Sequence, residues 1–357
     1  PCRPRRDPED GREPEPRAET HGEAAKVGPG IGRDERHRCR ACPALGAAHN
    51  RAAAMTADAW IPITVAAALF QTWRTALQQK LRGALSVNAA AFVRFLYGAP
   101  FAALFMSAWA LATGEAPPAP HAWFLALCAA GGLAQIVGTL LLIRSFGSRN
   151  FAVGTAYSKT EAVQGAIAAW IILGEALSPL AAAGVAVGAA GVLALSLPKD
   201  GFSVTELARG IAEPAALCGL GAGAAFALSA VLFKVANVAL AGDDPILRAL
   251  ATLVATNILQ TLMLGPWLWR FDPAQFRLSF SAWRSAAWVG FLSAAGSSCW
   301  FSAFALAPVA LVRALGQVEM VFTLAFSRLY LKEAVRRTDV LGLALVVAGV
   351  VLILAGR

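Results

Sequence analysis

Charge is scarce in this chain: Asp, Glu, Lys and Arg make up 15% of its 357 residues, against 57% hydrophobic residues and a mean hydropathy of +0.57. Charged residues are about a quarter of an ordinary soluble domain, so this composition excludes one and points to a membrane protein. Enzymatic signatures are missing too. There is no HExxH, no Walker A sequence and no GxGxxG in a strand-to-helix setting. No joint between apolar stretches is long enough to hold a nucleotide, so no enzyme and no cofactor are expected, and uphill work would have to draw on a gradient.

Histidine and cysteine are also few, at 4 and 6 residues. Cys39 and Cys42 have a CxxC spacing with His37 and His49 nearby, but one pair and two loosely placed histidines fall short of a four-ligand zinc site, and no metal is expected. Cys128, Cys218 and Cys299 stand singly in apolar stretches, where a thiol packs as a small hydrophobe, so no disulfide framework is expected. The stretch after Met55 lacks the basic n-region of a cleavable signal peptide.

What the chain has is apolar length. A spanning helix needs about 20 apolar residues at 1.5 Å each. Ten stretches qualify, at 60–80, 88–111, 121–143, 151–173, 179–197, 212–236, 245–269, 284–305, 308–331 and 337–355. The expected fold is an all-α integral membrane protein of ten transmembrane helices. Residues 1–54 differ: 11 Lys+Arg and 9 Asp+Glu among prolines and glycines read as a disordered tail or upstream translation. That segment holds +2 of the net charge of +9, and most of the rest lies in alternate joints, so the charge marks topology and no nucleic-acid partner is expected.

Those joints carry Lys80 and Arg82, Arg144 and Arg149, Lys199 and Arg209, Arg270, Arg277 and Arg284, then Lys332, Arg336 and Arg337. The other four joints, 112–120, 174–178, 237–244 and 305–308, have no Lys or Arg. The positive-inside rule puts the basic joints in the cytoplasm and both ends of the ten-helix core outside, in a cytoplasmic (inner) membrane.

The sequence also repeats itself. Shifted by 158 positions, residues 128–195 overlay 286–353 and match Gly132 with Gly290, Glu161 with Glu319, Glu175 with Glu333, Gly184 with Gly342 and Gly191 with Gly349. Shifted by 154, Lys80 meets Lys234 and Arg94 meets Arg248. Two units of five helices are implied, at 55–198 and 212–357, joined by a cytoplasmic linker at 199–211. Because five is odd, the second unit enters the membrane from the opposite side, giving an inverted repeat.

The Lys-then-Arg spacing in the first two helices of each unit, the fourth helices ending in Gly174-Glu175 and Lys332-Glu333, and the Gly-rich fifth helices (GVAVGAAGVLAL, GLALVVAGVVLIL) resemble the EamA family of the drug/metabolite transporter superfamily. The resemblance implies a ten-helix carrier with a central cavity, moving small metabolites, often outward. Many relatives begin the fourth and ninth helices with a proline near the positions of Ala162 and Met320, where this chain instead carries Glu161 and Glu319.

Inside the fourth and ninth stretches stand the candidate site residues, Lys159, Glu161, Gln317 and Glu319. Measured along unbroken helices, Glu161 and Glu319 lie about 15 Å deep from opposite faces. A charge there costs roughly 2.5–3.5 kcal/mol and normally faces a bundle interior or an aqueous cavity. A carboxyl moved out of water also holds its proton more readily, as proton exchange requires. Residues two apart on a helix point apart, so Lys159 and Glu161 would need partners on other helices. The alternative for the glutamates is a structural clamp, with Lys159 or Arg313 as the cation.

Lys80 and Arg94 would either snorkel to headgroups or gate a cavity. Lys234 and Arg248, Gln71 and Gln135, and Trp73 and Trp300 complete the candidates, with a Trp anchor at the interface as the alternative for the last pair. The expected function is a secondary carrier moving a small polar or anionic metabolite by alternating access, as efflux by proton antiport. Its partners would be the substrate, protons and lipids, and its state monomer or homodimer. A non-transporting scaffold or sensor, or a uniporter or exchanger, is the alternative.

Overall fold

The computed structural model describes residues 58–81, 85–145, 157–196, 214–330 and 337–356. All lie in one compact unit, Asn50–Arg357. The expected tail with its CxxC pair, Lys332 and Glu333, and the joints carrying Arg82, Arg149, Lys199 and Arg209 lie outside the described residues.

Among the described residues the regular structure is entirely helical. The first repeat contributes α1 (Trp60–Leu81), α2 (Val87–Thr113), α3 (Ala122–Ser145), α4 (Glu161–Leu173) and α5 (Pro179–Ser196). The second contributes α6 (Pro214–Ala239), α7 (Pro245–Phe271), α8 (Pro273–Ser281), α9 (Trp283–Leu306), α10 (Val309–Leu315), a 3-10 turn (Gly316–Val318), α11 (Glu319–Tyr330) and α12 (Arg337–Ala355). Five helices, α2, α3, α6, α7 and α9, are long and apolar enough to cross a membrane, and α4, α5 and α12 are shorter apolar helices.

Two expected spans are corrected. The stretches 151–173 and 308–331 are not single helices: a turn at Lys159–Thr160 precedes α4, and the 3-10 turn divides α10 from α11. Apolar length does not register such breaks. One further helix, α8, occupies a joint read only as a basic loop. Its start was legible in Asp272-Pro273, an N-cap whose side chain accepts from Gln275 N, followed by proline at the first helical position.

Repeat-equivalent helices pack against each other in antiparallel fashion. Along α5 and α12, Gly184 meets Gly349 and Ile353, whereas Gly191 meets Gly342 and Val346, so one helix ascends as the other descends. A Cβ on Gly349 would stand 2.6 Å from Gly188 N, and one on Gly191 would stand 2.7 Å from Gly342 O. Only glycine permits that approach, and close backbones supply the dispersion contact that holds helices together in lipid. The pair α2 and α7 follows the same rule, with Gly98 against Asn257 and Gly265 against Phe92. The pair α3·α6 in turn has its symmetry mate in α9·α1. Inverted repeats account for all of these pairings.

Candidate functional site

Each broken span delivers a glutamate to the first turn of its second piece. Before α4, Tyr157 and Ser158 are helical, then the chain turns, with Thr160 Oγ1 donating to Tyr157 O at 2.6 Å and Gln164 Nε2 donating to Thr160 Oγ1 at 2.7 Å. Gly223 of α6 makes room for the turn, since a Cβ there would lie 3.1 Å from Ser158 O and 3.3 Å from Glu161 N. Gly316 makes room in the second repeat, where a Cβ would stand 2.2 Å from the Trp300 ring. Carboxylates at such helix starts gain from the helix dipole, about 0.3–1 kcal/mol each.

The turn changes the expected geometry. Lys159 and Glu161 do not point apart, because they do not share a helix; both line one cavity of about 360 Å³. The depth estimate along an unbroken helix from Phe151 falls for the same reason. Arg94, Gln135, Trp300, Arg313 and Glu319 line the cavity too, and its size fits small-molecule sites of roughly 300–1,000 Å³. A side pocket of about 30 Å³ adjoins it and holds Gln317, whose buried Nε2 has no hydrogen-bond partner among the described residues.

The two glutamates have different partners. Glu161 Oε1 takes Arg313 Nη1 at 2.8 Å, while Arg313 Nη2 donates to Phe226 O at 3.2 Å and its guanidinium lies over the Trp300 and Phe304 rings. Glu319 Oε2 instead accepts from Gln71 Nε2 at 2.6 Å, and Gln71 Oε1 accepts from Trp300 Nε1 at 3.0 Å. Trp300 is buried at the cavity and is no interface anchor, whereas Trp73 is exposed. Arg94 does not snorkel: its Nε donates to Ser293 Oγ at 2.9 Å in the cavity wall. Gln135 Oε1 accepts from Gln260 Nε2 at 2.8 Å.

Other candidates stand apart from the cavity. Lys234 Nζ pairs with Glu175 at 2.6 Å and donates to Ala307 O at 2.7 Å, while the second Glu175 oxygen accepts from Val309 N at 2.8 Å. Gly174 makes this possible: its left-handed backbone, φ 68°, ends α4 and turns Glu175 back toward α10. Among the described residues Arg248 Nη1 reaches only Leu240 O, at 3.5 Å. The Lys80 side chain lies outside the described residues. Arg74 also lines the cavity and was not among the expected residues, although the sequence carries a visible signal for it. It is a charge inside an apolar span, one helical turn after Gln71.

The EamA-like transporter family matches at residues 58–197 and again at 213–355. The chain belongs to that family. It is therefore a multi-pass membrane protein of a transporter family, of the drug/metabolite type. No curated protein matches this EamA-like chain. Among solved structures 24 chains match. One, titled only as the crystal structure of a protein, has a TM-score of 0.64 at 16% identity and covers 84% of this chain and 98% of its own. At that identity it supports the fold alone.

Proposed function

We propose that this EamA-like transporter is a secondary carrier that moves a small polar or anionic metabolite across the cytoplasmic membrane by alternating access, as efflux coupled to proton antiport. One observation carries the reading: two repeat-equivalent carboxylates, each opening the second piece of a broken span, line the same cavity. Interrupted helices at matching places in two inverted repeats are the best structural pointer to a transport site.

The proton falls to Glu319. Protonating Glu161 would break its ion pair with the permanent cation Arg313, whereas the partner of Glu319 is the neutral Gln71, fixed in orientation by Trp300, from whose Nε2 the carbonyl oxygen of a protonated carboxyl still accepts. The Arg313 pair favours a structural role for Glu161. Antiport requires the proton and the substrate to compete, which here means a substrate group that donates a hydrogen bond to the Glu319 carboxylate.

Alternating access also needs a closure that can open. Glu175 joins α4, α6 and the start of α10 at one end of the core, through Lys234 and Val309 N. By the same sequence shifts the counterparts of Glu175, Lys234 and Val309 are Glu333, Lys80 and Phe151. In this reading the Glu175 cluster opens and re-forms in each cycle.

Proteoliposomes loaded with a pH dye test the proposal against pools of amino acids, organic acids, sugars and drugs. A proton flux that one pool elicits, and that Glu319→Gln abolishes in folded protein, is the expected result. Flux that persists in Glu319→Gln would remove this residue from the coupling, and absence of any solute movement would remove the carrier reading.

A further inference from the structure

Four cations and two carboxylates line the cavity, and their pairing leaves positive charge over. Glu161 is taken by Arg313. Glu319 accepts from Gln71, with Arg74 on the same cavity wall. Arg74 itself makes no hydrogen bond or ion pair among the described residues, and its Nε is buried without a partner. Arg94 lines the same cavity, donates through Nε to Ser293 and lies over the Phe95 ring, and its two terminal nitrogens make no hydrogen bond or ion pair among the described residues. Lys159, on the same cavity, also lacks a partner among them.

Two guanidiniums facing one cavity inside a membrane protein are costly unless an anion completes them. They are also forked donors, suited to the paired oxygens of a carboxylate or phosphate. The rest of the wall is different in kind: Phe226, Phe233, Phe301 and Phe304 present apolar rings to the same space. Most of the surplus is absent from the opposite repeat: Arg94 has a counterpart in Arg248, but that of Arg74 is Leu228 and that of Lys159 is Gln317.

We infer that Arg74, Arg94 and Lys159 form the seat of a substrate oxyanion, and that the substrate is a small organic acid whose apolar body packs on the phenylalanine wall and carries a hydrogen-bond donor toward Glu319. The inference rests on the carrier reading of the same cavity and adds the substrate class to it.

The test is binding to the purified full chain in detergent, by calorimetry, with phenylacetate, indole-3-acetate and benzyl phosphate as probes. The matched neutral compounds are phenylacetamide and indole-3-acetamide. At least one acid should bind at least about ten-fold tighter than its amide or uncharged analogue, the scale of one charge-assisted hydrogen bond. Arg74→Gln and Arg94→Gln should each remove that advantage and leave the weak binding of the amides unchanged, while Arg74→Lys and Arg94→Lys should keep part of it. Each variant is first shown to be monodisperse; should a glutamine variant fail to fold, loss of the acid preference is read from Arg74→Leu and Lys159→Gln, which install the residues of the other repeat.

Amides binding as tightly as acids, acid binding unchanged in both arginine variants, or no acid binding to folded wild type would each overturn the inference. Tracer flux of amines and sugars separates the two readings. Wild type that carries those solutes and ignores every acid keeps the carrier and loses the anion seat, and wild type that carries nothing loses both.

Discussion

The same five-helix pattern occurs twice in this chain, and the two copies differ in an ordered way. Where they agree, they pack: Gly184 and Gly342, and Gly191 and Gly349, build the antiparallel seam of α5 with α12. Where they disagree, they line the cavity. Arg313 has Thr155 as its counterpart, Lys159 has Gln317, Gln71 has Ala225 and Arg74 has Leu228. Glu161 and Glu319 sit between these classes, identical in place and opposite in company, one held by a cation and the other by an amide. Symmetric glycines therefore maintain the scaffold, and the asymmetric positions, together with Arg94, whose counterpart Arg248 lies off the cavity, give the cavity its chemistry.

Breaking a symmetric position should do the most damage. Gly349→Leu drives a side chain into the α5 backbone, where even a Cβ would be 2.6 Å from Gly188 N. Overpacking costs about 1–3 kcal/mol, more where the obstacle is backbone, and folded yield in detergent should fall sharply. Retained yield with a normal melting temperature would mean that the seam is looser than described.

Next come the two glutamates, where the comparison can be sharpened. Arg313→Ala strands Glu161 against the cavity wall and should cost about 1–3 kcal/mol, discounted from a fully buried pair because the two side chains are 14% and 26% exposed. Glu319→Gln should leave the melting temperature almost unchanged, since a glutamine still accepts from Gln71. Equal thermal shifts in the two variants would erase the distinction between the carboxylates. Trp300→Phe removes the hydrogen bond to Gln71, about 1 kcal/mol, together with the indole atoms that face Gly316 and underlie Arg313, so its thermal shift should exceed that of Glu319→Gln.

The same division explains what the sequence disclosed. Apolar length, the 158-residue repeat and a carboxylate in each of two spans were legible, because composition and periodicity carry them directly. The interruptions at Lys159–Thr160 and Gly316–Val318 were not: they change hydrogen-bond direction without changing polarity, so an apolar window runs straight through them. Placing Lys159 beside Glu161 in one cavity depends on that turn. Arg313 was named as a possible partner, but its choice of Glu161 depends on how α10 crosses α6, which spacing does not encode. Glu175 was read as family architecture. Its carboxylate in fact ties Lys234 to the start of α10, an arrangement set by the left-handed Gly174.

Alternating access around the cavity is the central claim, and the Glu175–Lys234 cluster allows a direct test. In a chain whose native cysteines are replaced by serine, Glu175→Cys and Lys234→Cys would be joined by a short, reducible methanethiosulfonate cross-linker. Substrate flux would then be measured in proteoliposomes before and after reduction. Flux that stops on cross-linking and returns with reductant is the predicted result, because the closed end could no longer open. Cross-linked protein that transports at the rate of the reduced protein would contradict it.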